Sequence, residues 1–171
     1  MVDSTQLDPD FKYEIAQEPG GEHIRRCFAC GTCTVSCPVR AVTDRYSPRK
    51  IIRLALLGFR EEVLSSDFIW LCSACFACHE RCPQDVQITE LMNAIKNIAV
   101  RDGHVPTAFR AQVDILQQHG RLIEIGDYDN ERRAELDLPP IQEQAGGVAC
   151  ILQATGAAKL GRLDADGASD R

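Results

Sequence analysis

The sequence predicts a mainly α-helical fold built around two cysteine loops, with a short extended segment before it and a polar arm after it. Three observations point that way. Eight of the nine cysteines fall into two copies of one pattern, Cys27-x2-Cys30-x2-Cys33-x3-Cys37-Pro38 and Cys72-x2-Cys75-x2-Cys78-x3-Cys82-Pro83, offset by forty-five residues. The stretch between the copies has helix start and stop signals. The stretch after the second copy repeats its apolar residues at intervals of three and four.

In chain order, Phe11, Tyr13 and Ile15 alternate with Lys12, Glu14 and Ala16, which predicts a short strand or extended segment ahead of the Pro19-Gly20-Gly21 break. In the first cysteine loop, Ala29, Gly31 and Thr32 are small enough to let the backbone approach a compact group closely, and Ala74 and Ala77 do the same in the second. Phe28 and Phe76 are the bulky members that shield it. Ser47 is a good N-cap with Pro48 at the first helical position. Ile51, Ile52, Leu54, Ala55, Leu56 and Leu57 supply a broad apolar face, and Gly58 ends the helix. A shorter helical turn is expected at residues 60–64. Thr89 is the expected cap of a helix carrying Leu91, Met92, Ile95, Ile98 and Ala99 and ending near Gly103. A further helix is predicted over residues 107–118, with Phe109, Val113 and Leu116 on one stripe and Gly120 as its stop. Residues 122–125 read as a second short strand. From Asp127 the chain turns polar, and its end is rich in Gly, Ala and Asp. This reads as a partner-binding arm or disordered tail, with a short helix over residues 148–160. The expected organisation is thus an extension over residues 1–21, a helical cluster domain over 22–120 and an arm over 121–171.

The cysteine pattern is the ligand set of two [4Fe–4S] cubanes. Three thiolates two residues apart come from one tight loop around three corners of a cube, and the fourth, just before a proline that turns the chain away, ligates the other cube in two-cluster proteins. The predicted ligands are Cys27, Cys30, Cys33 and Cys82 for one cluster and Cys72, Cys75, Cys78 and Cys37 for the second. A structural zinc site in an interaction module is the alternative from another class, but it favours well-separated CxxC pairs or Cys/His mixtures. A disulfide framework belongs to secreted chains, and the N-terminus has neither a basic start nor an apolar signal core. The richest apolar stretch, residues 51–59, is short and broken by Arg53, so no membrane span is expected and the chain reads as cytoplasmic.

With 171 residues, 44% of them hydrophobic, there is room for one domain with extensions. The net charge of −6 argues against general nucleic-acid binding. Arg25, Arg26, Arg40, Arg45, Arg49, Lys50 and Arg53 crowd the first loop and its following helix. They either stabilise the reduced, more negative state of a cluster or form a solvated basic face. His79 beside Cys78 is either a hydrogen-bond donor near the cluster or a half-exposed loop residue. Trp70 packs against a cluster or a partner, or else belongs to the core. Cys150 reads as a small apolar residue, since both quartets are complete without it. No phosphate loop, nucleophile motif or paired carboxylates stand out.

The strings Cys27-Phe28-Ala29-Cys30-Gly31-Thr32-Cys33-Thr34-Val35-Ser36-Cys37-Pro38, Ser47-Pro48-Arg49-Lys50-Ile51-Ile52-Arg53 and Leu71-Cys72-Ser73-Ala74-Cys75-Phe76-Ala77-Cys78-His79-Glu80-Arg81-Cys82-Pro83 resemble the C subunits of the soluble heterodisulfide reductases of methanogenic archaea, which are α-helical ferredoxins. The likeness covers residues 22–105. Iron–sulfur subunits of succinate dehydrogenase and glycolate oxidase share the ligand pattern, but not the short single module. The resemblance implies a relay. A flavin-containing partner, the A subunit, would bifurcate electrons, and the C subunit would carry one branch through its two cubanes. A third chain, the B subunit, would reduce the coenzyme M–coenzyme B heterodisulfide of methanogenesis. A hydrogenase or formate dehydrogenase would stand upstream, with no nucleic acid or membrane involved. Disulfide cleavage in that family needs Cys-Cys-Gly motifs, which this sequence lacks, so that step is expected on a partner. A related complex of sulfur metabolism, acting on a different sulfur substrate, is the alternative in the same chemistry.

Overall fold

The computed structural model describes residues 7–142 and 146–161, and the described residues include helices and turns but no strand. The expected mainly helical fold is borne out. The chain divides into two compact units, Met1–His104 and Val105–Arg171.

The first unit begins with helix α1, Phe11–Gln17, where an extended segment was expected. Phe11 and Ile15, four residues apart, are both fully buried, whereas Tyr13 is 43% exposed. Only the helical spacing puts both apolar residues on one face, and the period-two pattern counted Tyr13 as inward when it is not. The Asp10 N–H donates to the Asp8 carboxylate at 2.9 Å, ordering the entry to the helix. Helix α1 packs on α4, Pro48–Leu57, and on α7, Ile88–Arg101. Helix α1 is therefore part of the unit's core.

Between α1 and α4 lie the short helices α2, Thr32–Val35, and α3, Pro38–Val42. Helix α4 forms as its sequence signals predict. The Ser47 hydroxyl accepts the Lys50 N–H, Pro48 occupies the first turn, and Gly58 closes the helix in the left-handed conformation at φ +87°. A side chain at position 58 is doubly excluded, because a Cβ there would sit 2.4 Å from the Asp8 carbonyl oxygen. Helix α5, Arg60–Leu64, buries Val63 and Leu64. From it, Arg60 makes a two-pronged pair with Glu14 of α1 at 2.9 and 3.0 Å and reaches Asp102 at 2.6 Å, joining three segments distant in sequence.

The short helix α6 spans Ala77–Glu80, and α7 after it is the central element. Leu91, Met92, Ala94, Ile95, Ile98 and Ala99 are all fully buried. Burying a side chain of Leu, Ile or Met size stabilises by roughly 1.5–3 kcal/mol. Thr89 is not the cap of this helix. Gln87 precedes the first turn in a left-handed conformation (φ 56°), and Thr89 lies inside the helix, 1% exposed.

In the second unit, α8, Thr107–His119, ends at Gly120 as expected and packs on α10, Gly146–Ala154, and α11, Ala158–Gly161. The break after α8 was expected to close the cluster domain. Instead, the division falls before it, because the partners of α8 are the C-terminal helices. Helix α9, Asp127–Glu135, starts where the Asp129 carboxylate accepts the Gly126 N–H at 3.0 Å. Asn130 is tied both ways to Ile141, and Arg133 donates to the Pro139 carbonyl. The polar stretch from Asp127 to Ile141 is therefore ordered by its own hydrogen bonds. No strand forms at residues 122–125, where Leu122 and Ile123 are 55% and 73% exposed. A strand needs a neighbour for its ladder, and there is no other strand among the described residues. The helix expected over residues 148–160 is split, since Gly156 takes a positive φ between α10 and α11. The Gly-, Ala- and Asp-rich end, residues 162–171, lies outside the described residues.

Candidate metal centre

Both cysteine loops are built by the same device. A 3-10 turn, Ile24–Arg26 in one and Asp67–Leu71 in the other, delivers the chain to the first cysteine. The residue two places on is left-handed in each (Ala29 φ 61°, Ala74 φ 50°), and so is the residue four places on (Gly31 φ 91°, Phe76 φ 62°). A one-turn helix then carries the third cysteine inward: Cys33 and Cys78 are 7% and 8% exposed. Left-handed residues cost roughly 1–2 kcal/mol where they are not glycine. In return they turn backbone N–H groups into a concavity suited to negative charge.

The loops open onto two hollows. The first, about 330 Å³ including its open mouth, is lined by Cys27, Cys30, Cys33 and Cys82, with Phe28, Arg49, Val86 and Ile88 among the other walls. The second, about 270 Å³, is lined by Cys37, Cys72, Cys75 and Cys78, with Tyr46, Phe76 and Thr89. Each hollow thus has three cysteines from one loop and the last cysteine of the other. The first turn of α7 serves both, through Ile88 on one side and Thr89 on the other. Among the described residues, no group of three or more His, Cys, Asp or Glu side chains converges on a single ion. Tetrahedral zinc with bonds near 2.3 Å needs its sulfurs about 3.8 Å apart, a convergence that the described cysteines do not show.

Hydrogen-bond donors surround the sulfurs. The Thr32 hydroxyl is 3.4 Å from Cys30 Sγ, the Thr34 hydroxyl is 4.0 Å from Cys33 Sγ, and the Val86 N–H donates to Cys82 Sγ at 3.4 Å. The Cys30 thiol titrates below its usual range because of the Thr32 hydroxyl and nearby backbone N–H groups. Burial pushes Cys33 up to about 11, against the Thr34 hydroxyl, with added repulsion from Cys27 and Cys78. Burial likewise raises Cys27 and Cys78. Gathered buried sulfurs disfavour the thiolate form until a cationic core neutralises them, and such binding releases protons. The Tyr46 phenol is raised by burial and then by its hydrogen bond to Cys72.

Of the basic residues around the first loop, Arg49 is the one that lines a hollow. Arg26, Arg40 and Arg45 are paired with Asp85, Asp44 and Asp67, and Arg25 lies 5.1 Å over the Tyr13 ring. His79 Nδ1 is 3.0 Å from the Glu90 carboxylate, which ties the second loop to α7. Trp70 packs half-buried against the core, with Lys96 Nζ 5.9 Å from its ring. Cys150 is exposed on α10, so it is not filling space in a core. Tyr46 and Thr89 were not expected at the site. Thr89 left a faint trace as a polar residue on the buried face of α7, while Tyr46 left none, since its role depends on how the chain folds back to Cys72.

The model of the 4Fe-4S dicluster domain matches residues 23–86. The chain is 34% identical to the iron-sulfur C subunit of the CoB–CoM heterodisulfide reductase of Methanopyrus kandleri, over 82% of this chain and 77% of that one. It is 41% identical to the second iron-sulfur C subunit of the same enzyme from Methanocaldococcus jannaschii, over 68% of this chain and 61% of that one. The C subunit of the ferredoxin:CoB-CoM heterodisulfide reductase of Methanosarcina mazei is 37% identical, over 72% and 75%. This chain belongs to the family of heterodisulfide reductase C subunits. Members of that family are iron–sulfur electron-transfer subunits of an oxidoreductase, and this one has two [4Fe–4S] clusters as its cofactors. No helix among the described residues is long and apolar enough to cross a membrane.

Proposed function

We propose that this chain relays single electrons inside a cytoplasmic heterodisulfide reductase complex, from the flavin-containing A subunit to the B subunit, which reduces the coenzyme M–coenzyme B heterodisulfide in methanogenesis. A hydrogenase or formate dehydrogenase supplies the electrons. In this reading Cys27, Cys30, Cys33 and Cys82 hold one [4Fe–4S] cluster, and Cys37, Cys72, Cys75 and Cys78 hold the other. The observation that carries it is the sorting of eight cysteines into two four-sulfur hollows that share the first turn of α7. When bound, the clusters supply reversible one-electron storage at a potential set by their surroundings. The chain's own residues hold the sulfurs at fixed positions, so little reorganises when charge arrives. The buried Val86 and Ile88 wall one hollow and Val39 the other, while Phe28 and Phe76, 60% and 44% exposed, stand at their rims. The absence of any Cys-Cys-Gly sequence supports placing disulfide chemistry on a partner.

The test is a Cys33→Ala variant in the reconstituted complex. One cubane signal should disappear from the EPR spectrum and heterodisulfide reduction should stop. Unchanged turnover refutes the relay.

A further inference from the structure

The two hollows have the same sulfur count but different electrostatic surroundings. Arg49 lies in the first turn of α4, its backbone N–H donating to the Thr34 hydroxyl oxygen at 3.2 Å. Its side chain runs across the Gly31 turn. A Cβ built at Gly31 would be 3.7 Å from Arg49 Cδ and 3.9 Å from both Nε and Nη1. Among the described residues Arg49 has no carboxylate partner, whereas Arg26, Arg40 and Arg45 are each spoken for. Because the Thr34 oxygen accepts from Arg49, its own hydrogen is left to donate, and Cys33 Sγ and Ser47 Oγ lie 4.0 and 3.3 Å away. Thr32 and the Val86 N–H add donors at Cys30 and Cys82. The polar side chains that line the second hollow besides the cysteines, Tyr46, Ser73 and Thr89, carry no formal charge, and beside them His79 is paired with Glu90. Tyr46 hydrogen-bonds to Cys72, the Thr89 hydroxyl is 4.0 Å from Cys78 Sγ, and no cation is among the described residues lining it.

Reduction adds a negative charge to the cluster, and positive charge or hydrogen bonds to sulfur favour the reduced form. We infer that the cluster held by Cys27, Cys30, Cys33 and Cys82 has the higher reduction potential of the two, and that Arg49 is the positioning residue that raises it. An electron entering the chain therefore comes to rest in the first hollow. This inference rests on the ligand assignment proposed above.

The experiment is a potentiometric titration, followed by EPR, of the anaerobically reconstituted full chain, comparing wild type with Arg49→Gln, Arg49→Lys and Tyr46→Phe. Wild type should show two one-electron steps. Arg49→Gln should shift the higher step downward, leaving roughly tenfold less of that cluster reduced at a fixed potential, or about 59 mV for one electron. Arg49→Lys should restore most of the shift, because it keeps the charge. Tyr46→Phe should move only the lower step. Because Arg49 is exposed, its substitution leaves the core intact. If Arg49→Gln leaves the higher step in place or moves only the lower one, the ranking is overturned. If Cys37→Ala removes the same step as Cys27→Ala, the ligand assignment itself is overturned.

Discussion

The two cysteine loops are the same device set on different supports. Their ligands repeat at one offset and their left-handed residues fall at matching places, yet the chain diverges once it leaves them. After Pro38 it makes α3 and then a connection before α4 begins at Pro48. After Pro83 it enters α7 at Ile88 almost at once. Helix α4 leaves Leu57 half exposed, while α7 has a long fully buried face. Loop geometry is dictated by the need to present three sulfurs and several N–H groups to one compact group. The helices answer only to the local core, so they are free to differ. The repeat therefore lives in the loops and not in the whole loop-plus-helix unit.

That comparison is sharpened first at the supports. Ile95→Ala in α7 should cost about 2–5 kcal/mol, as expected for truncating a fully buried aliphatic side chain. Leu54→Ala on the half-buried side of α4 should cost clearly less. Anaerobic urea unfolding of the two variants measures the difference, and equal losses would mean the two helices support their loops alike. A smaller effect is expected in the loops themselves. At the matching positions Gly31 and Phe76, both left-handed, Gly31→Ala should cost about 1–2 kcal/mol from backbone strain alone, since a Cβ there meets nothing closer than 3.7 Å. The smallest change belongs to Phe76→Gly. Relief of strain there offsets the loss of the ring and its 5.7 Å contact with His79, so stability should stay within about 1 kcal/mol in the same unfolding assay.

Much of this was legible in the sequence wherever a local rule had no competitor. Ser47, Pro48 and Gly58 bound α4 because a cap, a first-turn proline and a left-handed stop all act within the helix itself. Cysteine spacing predicts two ligand quartets, and the same cysteines line the two hollows. Sequence reading failed where the deciding partner was distant. Phe11, Tyr13 and Ile15 fit a strand as well as a helix until Tyr13 is found outside. Thr89 has the chemistry of a cap, but left-handed Gln87 begins the helix before it, and the hydroxyl turns toward Cys78 instead. The stripe on α8 marks an apolar face without saying which helices cover it, so the boundary expected after Gly120 falls after His104. Tyr46 and Arg49 take their places at the hollows only once α4 has packed against α2.

The central claim is that each loop lends its last cysteine to the other loop's cluster, and one set of spectra tests it directly. EPR of the reduced, anaerobically reconstituted chain should show that Cys37→Ala loses the same signal as Cys72→Ala, and that Cys82→Ala loses the same signal as Cys27→Ala. If Cys37→Ala instead reproduces the loss seen in Cys27→Ala, each loop ligates its own cluster and the crossed arrangement is wrong.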